Sequence, residues 1–152
     1  MTLIHMSGEK IEGIKKDWPV FADVLFFSTD GYCPGRSDYE YHVEVDESEI
    51  IANWKLDDYY DTEEFQNAIS DITDIYDFVS ADDAYELICG RMEQDEVDHD
   101  DYEDIASLGW EIQVIQAKLA RAFGFRFVES TDEHGAVYAA SMFGRESELV
   151  LQ

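Results

Sequence analysis

The sequence predicts an α+β domain, and three observations carry that prediction. Apolar runs of strand length occupy the first 45 residues. Stretches with helical period fill the middle, and strand patterns return after Gly124. Strands and helices that segregate along the chain rather than alternate point to α+β. The 152 residues are expected to form a single domain, 1–152, large enough for a real core. The chain shows no repeats, low-complexity tract or linker.

The first element is a short strand over residues 1–6, ending in His5-Met6-Ser7-Gly8. Residues 10–19 read as a polar connector. Residues 24–28, Val-Leu-Phe-Phe-Ser, form an apolar run of strand length. Residues 30–38 hold Gly31, Pro34 and Gly35 and read as a loop. In 39–45, Tyr39, Tyr41, Val43 and Val45 share one face and Glu40, His42 and Glu44 the other, which predicts a half-buried strand. From 62 to 79, Phe65, Ala68, Ile69, Ile72, Ile75, Tyr76 and Val79 recur at helical spacing behind Thr62 as N-cap. A second helix is expected over 81–92, capped by Ser80 or Asp82. The longest helix is expected over 104–123, with Ile105, Leu108, Ile112, Ile115, Leu119 and Ala122 as its apolar stripe and Gly124 as its stop. Residues 125–129, 136–143 and 149–151 read as strands, with Gly135 easing the turn between the first two.

Charge narrows the classes of function. Thirty-six acidic residues face ten basic ones, a formal net charge of −26, yet 45% of residues are hydrophobic and 14% aromatic. That is not the composition of a disordered acidic tail. The field repels nucleic acid and anionic membranes, attracts basic protein surfaces and disfavours non-specific self-association. Between Asp57 and Asp104 the only Lys or Arg is Arg91, and the run Asp95, Glu96, Asp98, Asp100, Asp101, Glu103, Asp104 is nearly continuous. This region reads as a solvated loop and helix start, or as a docking face for a basic, nucleic-acid-binding partner. No segment approaches a membrane span or a signal peptide, so an intracellular protein is expected. Cys33 and Cys89 fit a reducing compartment, and their spacing predicts no metal site.

Three segments place polar side chains at the ends of apolar elements: His5-Met6-Ser7, Phe26-Phe27-Ser28-Thr29 and Asp132-Glu133. The last opens the final hairpin, where a rigid carboxylate can stabilise developing positive charge. An acidic solvated turn is the plainer reading of the same residues. Of two adjacent strand residues, only one is expected to face a cleft.

The blocks Ile4-His5-Met6-Ser7, Leu25-Phe26-Phe27-Ser28-Thr29-Asp30, Val45-Asp46-Glu47-Ser48-Glu49-Ile50-Ile51, Trp110-Glu111-Ile112-Gln113, Phe123-Gly124-Phe125-Arg126 and Asp132-Glu133-His134-Gly135 resemble, in this order, a phage-encoded anti-CRISPR family. Its members are mono-ADP-ribosyltransferases that modify the PAM-recognising subunit of the type I-F CRISPR surveillance complex. The resemblance implies an ADP-ribosyltransferase-like mixed sheet core, NAD as substrate, a basic CRISPR effector subunit as protein target, and the cytoplasm of a bacterial host as location. It implies Asp132 or Glu133 as the catalytic carboxylate beside the ribose. It implies His5, assisted by Ser7, on a ribose hydroxyl. Phe27, or Phe26, would stack on nicotinamide, and Ser28 and Thr29 would support the carboxylate. Tyr32 would add a second ring, and Tyr138 reads equally as core. Glu111 and Gln113 cannot share a helix face, and Glu111 is expected to be structural. The absence of a Glu-x-Glu pair argues against an arginine acceptor, and the absence of Gly-x-Gly-x-x-Gly removes a Rossmann reading. The competing class is a non-enzymatic acidic mimic of DNA that blocks a basic groove by occupancy.

Overall fold

The computed structural model describes residues 1–33, 35, 37–99 and 101–152. Pro34 of the loop and Asp100 of the acidic run lie outside the described residues. In chain order the elements are β1 (Thr2–Ser7), β2 (Val24–Phe27), β3 (Tyr39–Glu44), β4 (Ile50–Ala52), α1 (Glu63–Ile75), α2 (Ala81–Ile88), α3 (Tyr102–Ala122), β5 (Phe127–Asp132), β6 (Gly135–Ser141) and β7 (Val150–Leu151). The strands form two sheets, in the orders β1-β3-β7 and β2-β6-β5-β4. The expected α+β architecture is what the chain adopts.

Local chemistry explains where the helices start and stop. Thr62 caps α1, its side chain accepting from the Phe65 amide at 3.3 Å. Ser80, not Asp82, caps α2, and Asp101 caps α3. The helix expected to reach residue 79 ends at Ile75, because Tyr76 leaves helical geometry (φ −115, ψ 91). Tyr76 and Val79 are buried all the same. Periodicity reported burial there, not helix. The second helix stops at Ile88 instead of 92. Gly90 sits at φ +70, and a Cβ on it would lie 2.2 Å from the Asn53 amide nitrogen, so only glycine fits.

Strand β4 has no counterpart in the sequence reading. It is three residues long and pairs in parallel with β5, Ile51 opposite Val128. A run of 3₁₀ turns over Asn53–Tyr59 then leads into α1. Strand β5 is also displaced, spanning Phe127–Asp132 and not 125–129. Asp132 therefore pairs with Gly135 as the last strand residue, and the turn itself is Glu133-His134.

The layers are helices, then the β2-β6-β5-β4 sheet, then the β1-β3-β7 sheet. Val24, Val128 and Ala139 share a core with Leu108, Ile112 and Ile115 of α3. On the other face Leu25, Phe27, Phe127 and Tyr138 pack with Leu3, Val43 and Val45 of the second sheet. The connector 10–19 contributes to this core too, through Ile14 at 4% exposure. Phe127 is fully buried, with the Phe27 ring edge-on at 5.2 Å. Beside it Arg126 bonds Glu49 (2.8 Å) and Glu148 (3.2 Å), and Arg145 bonds Glu148 (2.9 Å). These ties clamp both sheets at one end.

Phe127→Ala is expected to destabilise the fold by about 3–5 kcal/mol, read as a drop in denaturation midpoint. The carboxyl of Glu49 lies below its ordinary value, through the Asp46 amide first and then Arg126. Burial pushes Glu148 up, but Arg145 and Arg126 more than offset it and its carboxyl also ends low. A carboxylate depressed in the fold stabilises it above its unfolded value of 4.5, and that stability is lost as pH falls through the folded value. Glu148→Gln is therefore expected to lower stability at neutral pH and to flatten its fall below pH 4.5, measured by unfolding at several pH values.

Candidate active site

Among the described residues, the two sheets meet through one isolated rung. Ile4 and Ser28 exchange backbone hydrogen bonds at 2.8 and 2.9 Å. Beyond it β1 runs on beside β3, while the chain after Ser28 turns away. A cleft of about 1260 Å³ opens there, bounded by the β1 and β2 ends, the 29–33 segment, the β5-β6 hairpin and the middle of α3. It exceeds the roughly 300–1,000 Å³ of ordinary small-molecule sites.

His5, Phe27, Ser28, Thr29, Asp132 and Glu133 all line this cleft. Ser7 does not. It lines a separate hollow of about 210 Å³ with Lys10 and Trp18, and its hydroxyl donates to the Glu9 carbonyl at 2.5 Å.

His5 sits beside Phe27, ring centroids 5.5 Å apart. Its Nδ1 lies 2.7 Å from the Phe26 carbonyl. A carbonyl only accepts, so Nδ1 carries the proton and Nε2 keeps a free lone pair. Burial lowers the imidazole from its ordinary 6.5 against the opposing pull of the Phe26 carbonyl. The ring is thus a neutral acceptor at the cleft wall. The Ser28 hydroxyl is buried and has no hydrogen-bond partner among the described residues. Such a group costs about 1–3 kcal/mol unless something pairs with it.

Phe27 is 2% exposed and belongs to the core between the sheets. Phe26, half-buried, points to the helix side, where Phe21 meets it edge-on at 4.9 Å and Trp110 lies 6.4 Å from Phe21. Phe21 is held between Val20 and Ala22, two non-glycine residues at φ 73 and φ 51. Left-handed backbone at such residues costs of order 1–3 kcal/mol each.

The two carboxylates differ in restraint. Asp132 shares a strand face with Ser130 and with Val128, which packs in the α3 core. Its Oδ1 accepts from the His134 amide at 2.7 Å, which fixes the carboxylate across the turn. Glu133 is a turn residue, its side chain 87% exposed and 3.5 Å from His134 Nε2. Both border the cleft because the chain leaves the strand between them, so strand alternation does not apply. The His134 ring packs on Tyr32 at 4.2 Å, bridging the hairpin to the 29–33 segment. Tyr138 is core, 4% exposed, and burial with Glu129 beside it pushes its hydroxyl up to about 12.

Several lining residues escaped the sequence reading. Ser130 was hidden by ending β5 too early. Gln94 carries no signal, since glutamine near a helix reads as solvated. Gln116 carries one: it stands four residues after Ile112 on the apolar stripe of α3, and it is 5% exposed. Cys33 also lines the cleft. Cys89 is fully buried, and burial pushes its thiol up to about 11. Among the described residues no group of three His, Cys, Asp or Glu is arranged to hold a metal ion, and no helix is long and apolar enough to cross a membrane. The His5 imidazole is expected to titrate below 6.5, with Nδ1 retaining its proton, as read by nitrogen chemical shifts across pH 4–8.

The model of the family described as Anti-CRISPR Type I-F ADP-ribosyltransferase AcrIF11 matches residues 12–142. His5 and Ser7 precede the matched segment. A solved structure described as the crystal structure of an anti-CRISPR protein superposes with a TM-score of 0.51 at 22% identity, covering 92% of this chain and 88% of that one. At that identity the likeness speaks for the fold. No curated protein matches. With the family model spanning most of the chain, the protein belongs to the anti-CRISPR type I-F ADP-ribosyltransferase family.

Proposed function

We propose that the protein is an NAD-dependent mono-ADP-ribosyltransferase that modifies the PAM-recognising subunit of the type I-F CRISPR complex, within the bacterial host cytoplasm. The observation that carries the reading is one cleft lined by His5, Ser28, Thr29 and Asp132, from three distant segments. NAD supplies an ADP-ribosyl group whose bond to nicotinamide breaks through an oxocarbenium-like transition state. Two observations fit that donor. The His5 Nε2 is a neutral acceptor, and the buried Ser28 hydroxyl lacks a partner among the described residues. Both match ribose hydroxyls. Neither Lys nor Arg is among the described lining residues, so the reading assigns no side-chain cation to the diphosphate.

Asp132 is the better carboxylate. Its bond from the His134 amide holds it in place before any charge develops, so little reorganisation is needed during reaction. Glu133 is free to swing and stays beside the mouth. As the C1′–nitrogen bond breaks, its electron pair leaves with nicotinamide. The acceptor side chain forms the new bond to C1′ and gives up a proton to solvent or a neighbouring base. Phe26, half-buried in the cleft, offers a more accessible face for stacking than Phe27, which is occupied by Phe127. Ser7, turned onto Glu9, is expected to act only by holding the start of the connector.

Asp132→Asn is expected to lower transfer at least about 10²-fold while leaving the melting temperature near wild type. Glu133→Gln is expected to cost much less. The test is intact-mass spectrometry of a type I-F complex treated with a trace of protein, with and without NAD. One added ADP-ribose on one subunit, only with NAD, supports the reading. Inhibition only at equal molar amounts, without a mass shift and weakening with salt, replaces it with an acidic mimic.

A further inference from the structure

We propose that Gln94 and Gln116 form a carboxamide-recognising wall that selects the nicotinamide end of the donor and rejects its carboxylate analogue. This deepens, and rests on, the reading of the cleft as an NAD site. Three glutamines, 94, 113 and 116, line the α3 side of the cleft. Two of them are fixed in ways that a solvated glutamine is not.

Gln116 is 5% exposed, and its Nε2 donates to the Ile88 carbonyl at 2.8 Å. Ile88 ends α2, so that carbonyl is among those a helix leaves unpaired. A carbonyl cannot donate, so the amide orientation of Gln116 is settled. Its Oε1 accepts no hydrogen bond among the described residues, and it remains an acceptor for whatever occupies the cleft. Gln94 is held by a different device. Gly109 lies inside α3, where glycine disfavours the helix relative to alanine. A Cβ there would stand 3.0 Å from both Cδ and Nε2 of Gln94. The missing side chain is the seat of the Gln94 carboxamide. A poor helix former at a buried helix position is thus explained by what it leaves room for.

Asp132 lies on the same side of its sheet as these glutamines, since it shares a face with Val128 of the α3 core. A leaving group departing from the ribose on that side meets the amides of Gln94, Gln113 and Gln116, with the Glu93 carboxylate next to Gln94 in the chain. An aromatic carboxamide offers one acceptor and two donors, the complement of an amide wall. A carboxylate in the same place would set its oxygens against the Gln116 Oε1, in a cleft that already holds Asp30, Glu93, Asp132 and Glu133. Sites built to pair with a substrate N–H discriminate strongly against analogues that lack it.

The test compares initial transfer rates to the type I-F complex with NAD and with nicotinic acid adenine dinucleotide as donors. Wild type is expected to favour NAD about 100-fold or more. Gln94→Ala and Gly109→Ala are each expected to shrink that ratio about tenfold, chiefly by slowing the NAD reaction. Gly109→Ala shifts the Gln94 carboxamide by a few tenths of an ångström without truncating it, and its melting temperature is expected to be unchanged or higher, so damage to the fold would not produce this pattern. Equal use of both donors by wild type overturns the inference while leaving NAD-dependent transfer in place. An unchanged ratio in both variants overturns it as well. If neither dinucleotide supports transfer, the reading of the site and the inference fall together.

Discussion

One pair of backbone hydrogen bonds, between Ile4 and Ser28, decides where the cleft of this molecule opens. Each sheet satisfies its own ladder, and this rung is the place where one hands over to the other. Had β1 and β2 paired along their lengths, the two sheets would have merged and no cleft would exist. Because pairing stops after one rung, side chains next to it open into the cleft. His5, one residue beyond Ile4, turns its Nδ1 to the Phe26 carbonyl and leaves Nε2 open. The Ser28 hydroxyl is buried with no hydrogen-bond partner among the described residues. The site is in this sense the unfinished edge of a sheet junction, and the packed core around Phe127 keeps that edge from collapsing.

Much of the fold was legible because burial and periodicity agree in most elements. Residues 39–45 alternate as a half-buried strand should, and Tyr41, Val43 and Val45 are indeed buried. Thr62 caps the helix it was expected to cap. Legibility failed where burial persisted without regular backbone. Tyr76 and Val79 keep the helical spacing of α1 after the helix has ended, because the segment still folds against the core. Strand β4 was missed because three residues carry no period, and its parallel partner lies more than seventy positions away. In the cleft, the residue types at His5, Ser28 and Asp132 were readable through the resemblance. The packing of Gln94 over Gly109 was not, since it exists only once the 3₁₀ turn Gln94–Glu96 folds back onto α3.

Four of the ten cations, all arginines, are tied to neighbouring groups of the fold. Arg91 pairs with Asp57 at 3.4 Å and Glu86 at 3.1 Å, and Tyr85 donates to the same Asp57. Arg121 bonds the carbonyls of Ser141 and Phe143, next to the buried Asp23. Arg126 and Arg145 close the clamp at the sheet ends. These arginines serve structure, and the exterior is left strongly anionic. Such a field speeds encounter with basic surfaces and weakens with ionic strength, whichever chemistry follows contact. Acidity and the proposed chemistry are therefore separable properties of this chain, one spread over the surface and the other assigned to the cleft.

The two thiols occupy opposite chemical worlds. Cys89 sits beneath the helices with its thiolate strongly disfavoured, while Cys33 borders the cleft. Reagents that require a thiolate reach the two at very different rates. The native chain thus carries its own single-site handle for a fluorophore or spin label, placed where occupancy of the cleft would change its surroundings, with no cysteine needing to be engineered in or out.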